Sequence, residues 1–220
     1  MEIDINIAEA MRYMGYKEGM DAQNIIEDIE ECKKVLLDTI KPAYTYKIFD
    51  IEIADNIKIL GTNARFEGKD IKEHLKGCKK VVLLCATLSL FADKLINRLQ
   101  YRDMAKAVIT DALASAGIEA VCNKAEEDIS KKISPLNMTF RFSPGYGDFP
   151  LSTQESFIKV TNSEKLIGLT LYNGMLIPTK SVTAVIGLCE EKPPAPKRGC
   201  AVCNLKDSCQ YRRKGLHCEK

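Results

Sequence analysis

An α+β domain is the fold class this sequence predicts, and three observations predict it. Strand-type alternation and helix-type apolar spacing both occur, in separate blocks. Their order, a β-hairpin, a helix, a strand, helices, a strand, a helix and two further strands, lacks the strict alternation of a doubly wound fold. The 220 residues, 45% hydrophobic and 28% charged, suit one substantial domain with room for a small appendage.

The elements follow in order. Within 21–40, Ile25, Ile29, Cys32 and Leu36 form one apolar helical stripe, which Pro42 stops. Alternation then takes over: Tyr44, Tyr46 and Ile48, next Ile51 and Ile53, then Ile57 and Ile59 beyond the turn-prone pair Asp55 and Asn56. These are two or three strands of a hairpin. A short helix over 70–76 ends at Gly77 and leads into the apolar run Val81 to Leu88, which suits a strand covered on both faces. Residues 90–133 are alanine-rich and free of proline, with Phe91, Leu95 and Leu99 on one helical face. They predict two helices, or one long bent helix with Gly117 as its weak point. After Pro135, MTFRF reads as a strand, and Ser152 with Glu155 as a capping box for a helix reaching about Val160. IGLTLY and SVTAVIGLC supply two more strands, joined by NGMLIPTK.

Composition excludes some function classes. With 32 basic and 30 acidic side chains the formal net charge is +2, too balanced for a protein that coats nucleic acid. Glu2 and Asp4 stand where a secretory signal needs a basic start and an apolar core, and no run approaches the roughly 18 apolar residues of a membrane helix. A cytoplasmic location is expected. Nine cysteines, an odd number, fit poorly with a disulfide framework; Cys32, Cys78, Cys85, Cys122 and Cys189 read as small buried hydrophobes.

The segment RFSPGYGDFP, residues 141–150, carries the chemistry. Pro144 fixes its own φ and holds Ser143 extended, while Gly145 and Gly147 open backbone conformations closed to other residues. In so rigid a loop Arg141 can grip a carboxylate in its fork, and Tyr146 can lie against a flat or cationic group. A small anionic or zwitterionic ligand fits; an ordinary turn with a structural ion pair at Arg141 fits local composition as well.

The pattern R-x-x-P-G-Y of Arg141, Pro144, Gly145 and Tyr146 resembles the S-adenosylmethionine-binding motif of the reactivation domain of cobalamin-dependent methionine synthase. The longer RFSPGYGDFPLSTQ is similar to the form in small stand-alone relatives of that domain, and LTLYNGMLIPTKSVTAVIG resembles the family's site-closing strand and loop through Met175, Pro178, Ser181 and Val182. Weaker likeness runs from IAEAMRYMGY through ATLSLFADKLI to about Leu188. The resemblance implies a twisted antiparallel sheet with flanking helices over 1–190. It also implies that Arg141 binds the methionine carboxylate, that the backbone of Ser143, Pro144, Gly145 and Tyr146 lines the adenosyl site, and that Tyr146 sits near the reacting end.

In that family the domain supplies the methyl donor when cobalamin has been oxidised to an inactive Co(II) state; a reductant gives one electron and Co(I) takes the methyl group. The sulfonium already activates the methyl and cobalt is the nucleophile, so no catalytic acid or base is implied. The family's homocysteine, folate and cobalamin domains have no counterpart in this sequence, so the corrinoid would arrive on a partner, a methionine synthase or related corrinoid protein, with an electron-donor protein as a further partner. The family also places an acidic residue on a helix facing the ligand; by register Ser115 falls there, with Glu119 one turn on.

Beyond Glu190, residues 191–199 form a proline-rich spacer, and 200–220 contain Cys200, Cys203, Cys209 and Cys218 as C-x2-C-x5-C-x8-C. Four thiolates in so short and polar a segment predict one metal centre, either Zn²⁺ or an iron–sulfur cluster. Zinc would make it a structural clip. A cluster would make it an electron relay to cobalt. Tyr211, Arg212, Arg213 and Lys214 add a basic patch suited to an acidic redox partner or to a solvated face. The sequence therefore supports two functions: a reactivation protein for a corrinoid methyltransferase, or a non-enzymatic metal-containing module that docks a protein or nucleic acid.

Overall fold

The computed structural model describes residues 1–16 and 23–193. Its elements run α1 (Ile7–Tyr13), α2 (Gln23–Thr39), β1 (Ala43–Ile53), β2 (Ile57–Ile59), β3 (Arg65–Phe66), α3 (Lys69–His74), β4 (Lys80–Thr87), α4 (Leu90–Gln100) and α5 (Met104–Ile133). There follow β5 (Asn137–Met138), a 3-10 turn at Leu151–Thr153, α6 (Gln154–Thr161), α7 (Ser163–Ile167), β6 (Thr170–Tyr172), β7 (Met175–Ile177) and β8 (Ser181–Cys189). Six strands form one antiparallel sheet in the order β3-β2-β1-β4-β8-β5, while β6 and β7 pair separately. The α+β class is as the element order predicts, and the antiparallel sheet is as the resemblance implies.

The unbroken apolar run of β4 has a direct cause. It lies between β1 and β8, so it has no free edge, and both of its faces are covered. On one face Val82 and Leu84 pack with Ala125, Ile129 and Ile133 of α5, while Ala86 joins the cluster of α1, α2, α4 and α5. On the other, Val81, Leu83 and Cys85 pack with Phe66, Phe149 and Phe157, beneath α3, α6 and α7. Three layers result, with the helical bundle on one side of the sheet and short helices and the β6–β7 hairpin on the other.

Several expectations need correction. The long helical region is two helices, the first of the two expected arrangements, and the break falls at 101–103, where the Asp103 side chain caps α5 by accepting from the Lys106 amide at 3.1 Å. Gly117 bends nothing: it is buried in α5, and a Cβ there would stand 3.4 Å from Ile5 and Leu88, so its smallness serves close packing. In α4 the buried stripe is Ala92, Leu95 and Ile96, whereas Phe91 is exposed, with the Lys41 and Lys94 ammonium groups near its ring.

The stretch MTFRF pairs as a strand only at Met138, with one isolated bridge from Phe142 to Val185. Ser152 and Glu155 make no capping box, because the 3-10 turn already carries the chain into α6 and Thr153 takes the N-cap position without a side-chain bond. The connection NGMLIPTK contains β7. Finally, Cys32, Cys85 and Cys122 are buried free thiols as expected, but Cys78 and Cys189 are joined as a disulfide.

No helix among the described residues is long and apolar enough to cross a membrane. Residues 194–220, and with them most of the expected spacer and the four-cysteine tail, lie outside the described residues.

Candidate functional site

The loop 141–149 is fixed at both ends and in the middle. Phe142 exchanges backbone hydrogen bonds with Val185 of β8, at 2.9 and 2.8 Å, and buried Phe149 packs edge-on against Phe66 with centroids 5.4 Å apart. Between them the Tyr146 amide donates to Ser143 O (3.0 Å), the Phe149 amide to Tyr146 O (3.0 Å) and the Gly145 amide to Phe149 O (2.8 Å). Gly147 has φ +55°, and a Cβ there would fall 2.0 Å from an Asp70 carboxylate oxygen, so only glycine fits.

That close approach belongs to a clamp between two aspartates. Asp148 accepts from the amides of Lys69 (2.7 Å) and Asp70 (3.0 Å) at the start of α3, while Asp70 accepts from the Asp148 amide at 3.2 Å. The two amides at the start of α3 hold the Asp148 carboxyl below the usual carboxylate range. Behind the loop, His74 stacks on Phe142 and meets Phe140 edge-on, with Nε2 2.9 Å from Thr139 Oγ1. Burial lowers its pKa to about 4.

Because that value lies below the ordinary 6.5, the unfolded chain binds this proton first, so His74 contributes stability that is full above pH 6.5 and is lost as pH falls through about 4. Urea midpoints measured across that window are expected to fall further for the wild type than for His74→Gln. Parallel curves would reject the assignment.

Arg141 and Phe142, adjacent in sequence, point to opposite sides of the sheet. Phe142 joins the aromatic cluster, and Arg141 reaches α5, with Nη2 2.7 Å from Glu119 and Nη1 3.0 Å from Asn123 Oδ1 and 3.2 Å from Glu126. The guanidinium side chain is 19% exposed and the Glu119 side chain 36%, so the pair stands at a surface rather than in the core. Burial pushes the Glu126 carboxyl up, against the pull of Arg141. Tyr13 of α1 donates to Glu9 at 2.9 Å; its pKa is raised to about 12 by burial, then by Glu9, with a further contribution from the Glu119 charge.

The turn between β7 and β8 reaches the same helix. Thr179 is tied to Asp93 of α4 through its amide (2.9 Å) and hydroxyl (2.6 Å), and Lys180 Nζ lies 2.9 Å from both Asp111 and Ser115 Oγ on α5. Ser181 Oγ donates to Thr87 Oγ1 at 2.8 Å, and Pro178 is buried after a cis peptide bond. Arg141 and Lys180 therefore end on one face of α5, at Glu119 and Ser115, one helical turn apart. Sequence register puts Ser115 at the helix position expected to face the ligand, with Glu119 one turn on; in the structure Glu119 pairs with Arg141 and Ser115 with Lys180. Asp111 and Lys180 escaped sequence reading, since nothing local marks either.

Ser143, Pro144, Gly145 and Tyr146 share the loop with Arg141. An added Cβ at Gly145 would meet only the Leu151 side chain, at 3.5 Å, so the backbone is open on that side. The Tyr146 ring is 55% exposed and meets Phe142 edge-on at 5.8 Å. Met175 stands exposed on the separate β6–β7 sheet. Cys200, Cys203, Cys209 and Cys218 lie outside the described residues, and among those described no group of His, Cys, Asp or Glu is placed to hold a metal.

The molecule is thus an α+β domain that presents a cation–anion pair, Arg141 with Glu119, beside a braced glycine loop. No protein-family model matches the sequence, and no curated protein matches it significantly. Among solved structures, it is similar to a crystal structure of the MetH reactivation domain bound to AdoHcy, with a TM-score of 0.62 and 17% identity over 94% of this chain and 77% of that one. The two share a fold.

Proposed function

We propose that this chain binds S-adenosylmethionine and presents its methyl group to the reduced cobalt of a corrinoid carried by another protein, as a reactivation factor for a cobalamin-dependent methionine synthase or a related methyltransferase. The observation that carries this reading is the partly exposed pair of Arg141 and Glu119. An α-amino acid is a zwitterion, and such a pair offers each of its charges a partner of opposite sign, carboxylate to the fork and ammonium to the glutamate. Likeness of fold to a domain seen with AdoHcy supports the choice of ligand.

In this reading the backbone of Ser143 to Tyr146 lines the adenosyl portion, with Gly145 leaving room for it, and Pro178, Ser181 and Met175 border the site from the β7–β8 side. The bound sulfonium supplies an activated methyl group. The protein orients it, and an electron-donor protein supplies the reduction. Calorimetric titration with S-adenosylmethionine tests the proposal: saturable binding at one site per chain is expected, and its absence in folded protein would reject the function.

The exposed Tyr146 ring discriminates further. Tyr146→Phe is expected to bind nearly as the wild type, whereas Tyr146→Ala weakens binding with little loss of thermal stability, because the ring contacts ligand more than core. A large stability loss in the alanine variant without ligand would place the ring in the core instead.

The same proposal gives the tail one metal centre on Cys200, Cys203, Cys209 and Cys218, iron–sulfur if it relays the electron and zinc if it is a clip. Anaerobic iron–sulfur protein should be brown and bleach on reduction; zinc protein should be colourless and release about one Zn²⁺ per chain on thiol modification. Replacing Cys203 and Cys209 by serine is expected to abolish the metal and leave S-adenosylmethionine binding intact. Protein kept reduced and free of chelator that contains neither metal would sink this part.

A further inference from the structure

Cys78, in the turn between α3 and β4, and Cys189, the last residue of β8, are 111 positions apart in sequence, yet their Cα atoms lie 4.5 Å apart. That separation is within the span of a disulfide, and the two are bonded. They differ from the other described cysteines. Cys85 and Cys122 are isolated in the core, where burial pushes their pKa values up to about 11 and about 12, so they are poor nucleophiles. Cys189, by contrast, lines a cleft of about 400 Å³ whose charged wall residues are Lys76, Lys79, Lys80 and Lys192 with Glu190 and Glu191.

We propose that Cys78–Cys189 is an exchangeable disulfide, and that the lysine-bearing cleft beside it receives an acidic peptide thiol. Cys189 is the sulfur under attack because it lines the cleft and Cys78 does not, both being almost wholly buried. Cys78 is packed behind: a Cβ at Gly187 would come within 2.6 Å of its Sγ and 2.9 Å of Leu75. The incoming thiolate forms a mixed disulfide with Cys189 as the Cys78–Cys189 bond breaks, and Cys78 leaves as a thiolate that takes up a proton. A second thiolate attacks the peptide sulfur, releasing the peptide disulfide and leaving Cys189 to be protonated. The pair gains two electrons and two protons, and two peptide thiols are oxidised to one disulfide.

The charge on the walls selects the peptide. Lys79 is paired with Glu190 and Lys80 with Asp50, but the pairs are exposed, and Lys76 lies 3.8 Å from Glu73, beyond close contact. All three ammonium groups are therefore free to exchange these partners for the carboxylates of a bound peptide. Reduction would untie the end of β8 from the α3–β4 turn, leaving it held by the Asn137–Cys189 pairing with β5, the Asn137 side chain on Glu190 O and the Lys79–Glu190 contact.

The test uses the full chain, purified without reductant and digested under non-reducing conditions. A linked peptide containing Cys78 and Cys189 is expected, and its loss is followed by mass spectrometry with glutathione as the anionic probe thiol and 2-mercaptoethanol as the neutral one. In Lys76→Glu/Lys79→Glu the glutathione rate is expected to fall about tenfold or more at low ionic strength, with the neutral thiol unaffected. Lys76→Gln/Lys79→Gln should fall between, which guards against a folding artefact of charge reversal. Absence of the linked peptide from oxidised chain overturns the pair. An unchanged glutathione rate, or equal slowing with both thiols, overturns the docking cleft.

Discussion

Arg141→Ala is expected to weaken S-adenosylmethionine binding roughly ten- to a hundredfold, the equivalent of about 1.5–3 kcal/mol for a charge-assisted fork. The same change strips Glu119, Asn123 and Glu126 of their shared partner. The carboxylates of Glu119 and Glu126 would then face each other across two turns of α5 with no cation between them, so part of the effect would appear without ligand, as a lowered melting temperature. Glu119→Gln separates the two contributions. It keeps the shape and a hydrogen-bond partner for the guanidinium but removes the charge proposed to meet the ligand ammonium, so affinity should fall while stability holds. Wild-type affinity in folded Arg141→Ala, measured by calorimetry, would remove the arginine from the site.

Phe149→Ala is expected to have the largest effect on stability, a loss of about 3–5 kcal/mol for a phenylalanine removed from a packed interior. Phe149 is 1% exposed, lies edge-on to Phe66 and also packs with Phe142, and Phe66 in turn stacks on Phe157 with centroids 5.5 Å apart. Its removal leaves a cavity under the very loop that bears Tyr146, so weakened ligand binding should accompany the loss measured by denaturant unfolding. A variant of nearly wild-type stability would mean that the Asp70–Asp148 clamp alone holds the loop.

Local signals carried the reading of the sequence as far as local causes act. The stripe of Ile25, Ile29, Cys32 and Leu36 gave a helix, and the run from Val81 gave a central strand, because burial on one face or on two writes a period into the chain. The capping box at Ser152 was misleading since such a motif states a capacity, which the preceding 3-10 turn left unused. Alternation in MTFRF likewise reflects Phe142 and Phe140 contributing rings to the His74 cluster more than extended pairing. For the site, the stiffness of 141–149 was legible in its prolines and glycines. Its braces were not: Asp70 to Asp148, Arg141 to Glu119, Lys180 to Asp111 and Cys78 to Cys189 all join residues far apart in the chain, and only the fold brings such partners together.

The central place of β8 in the sheet also bears on how the protein is made. Thr87 at the end of β4 meets Ser181 only after 94 further residues, so the pairing that seals the sheet is strongly non-local. At a synthesis rate of roughly 5–20 residues per second, β4 would wait about 5–20 s for its neighbour to emerge. Throughout that interval the nascent chain carries an apolar strand with one unpaired edge, the kind of surface that recruits other chains. Early termination anywhere between 88 and 180 would make the interval permanent, and such fragments belong to the clients of chaperones rather than to the soluble pool.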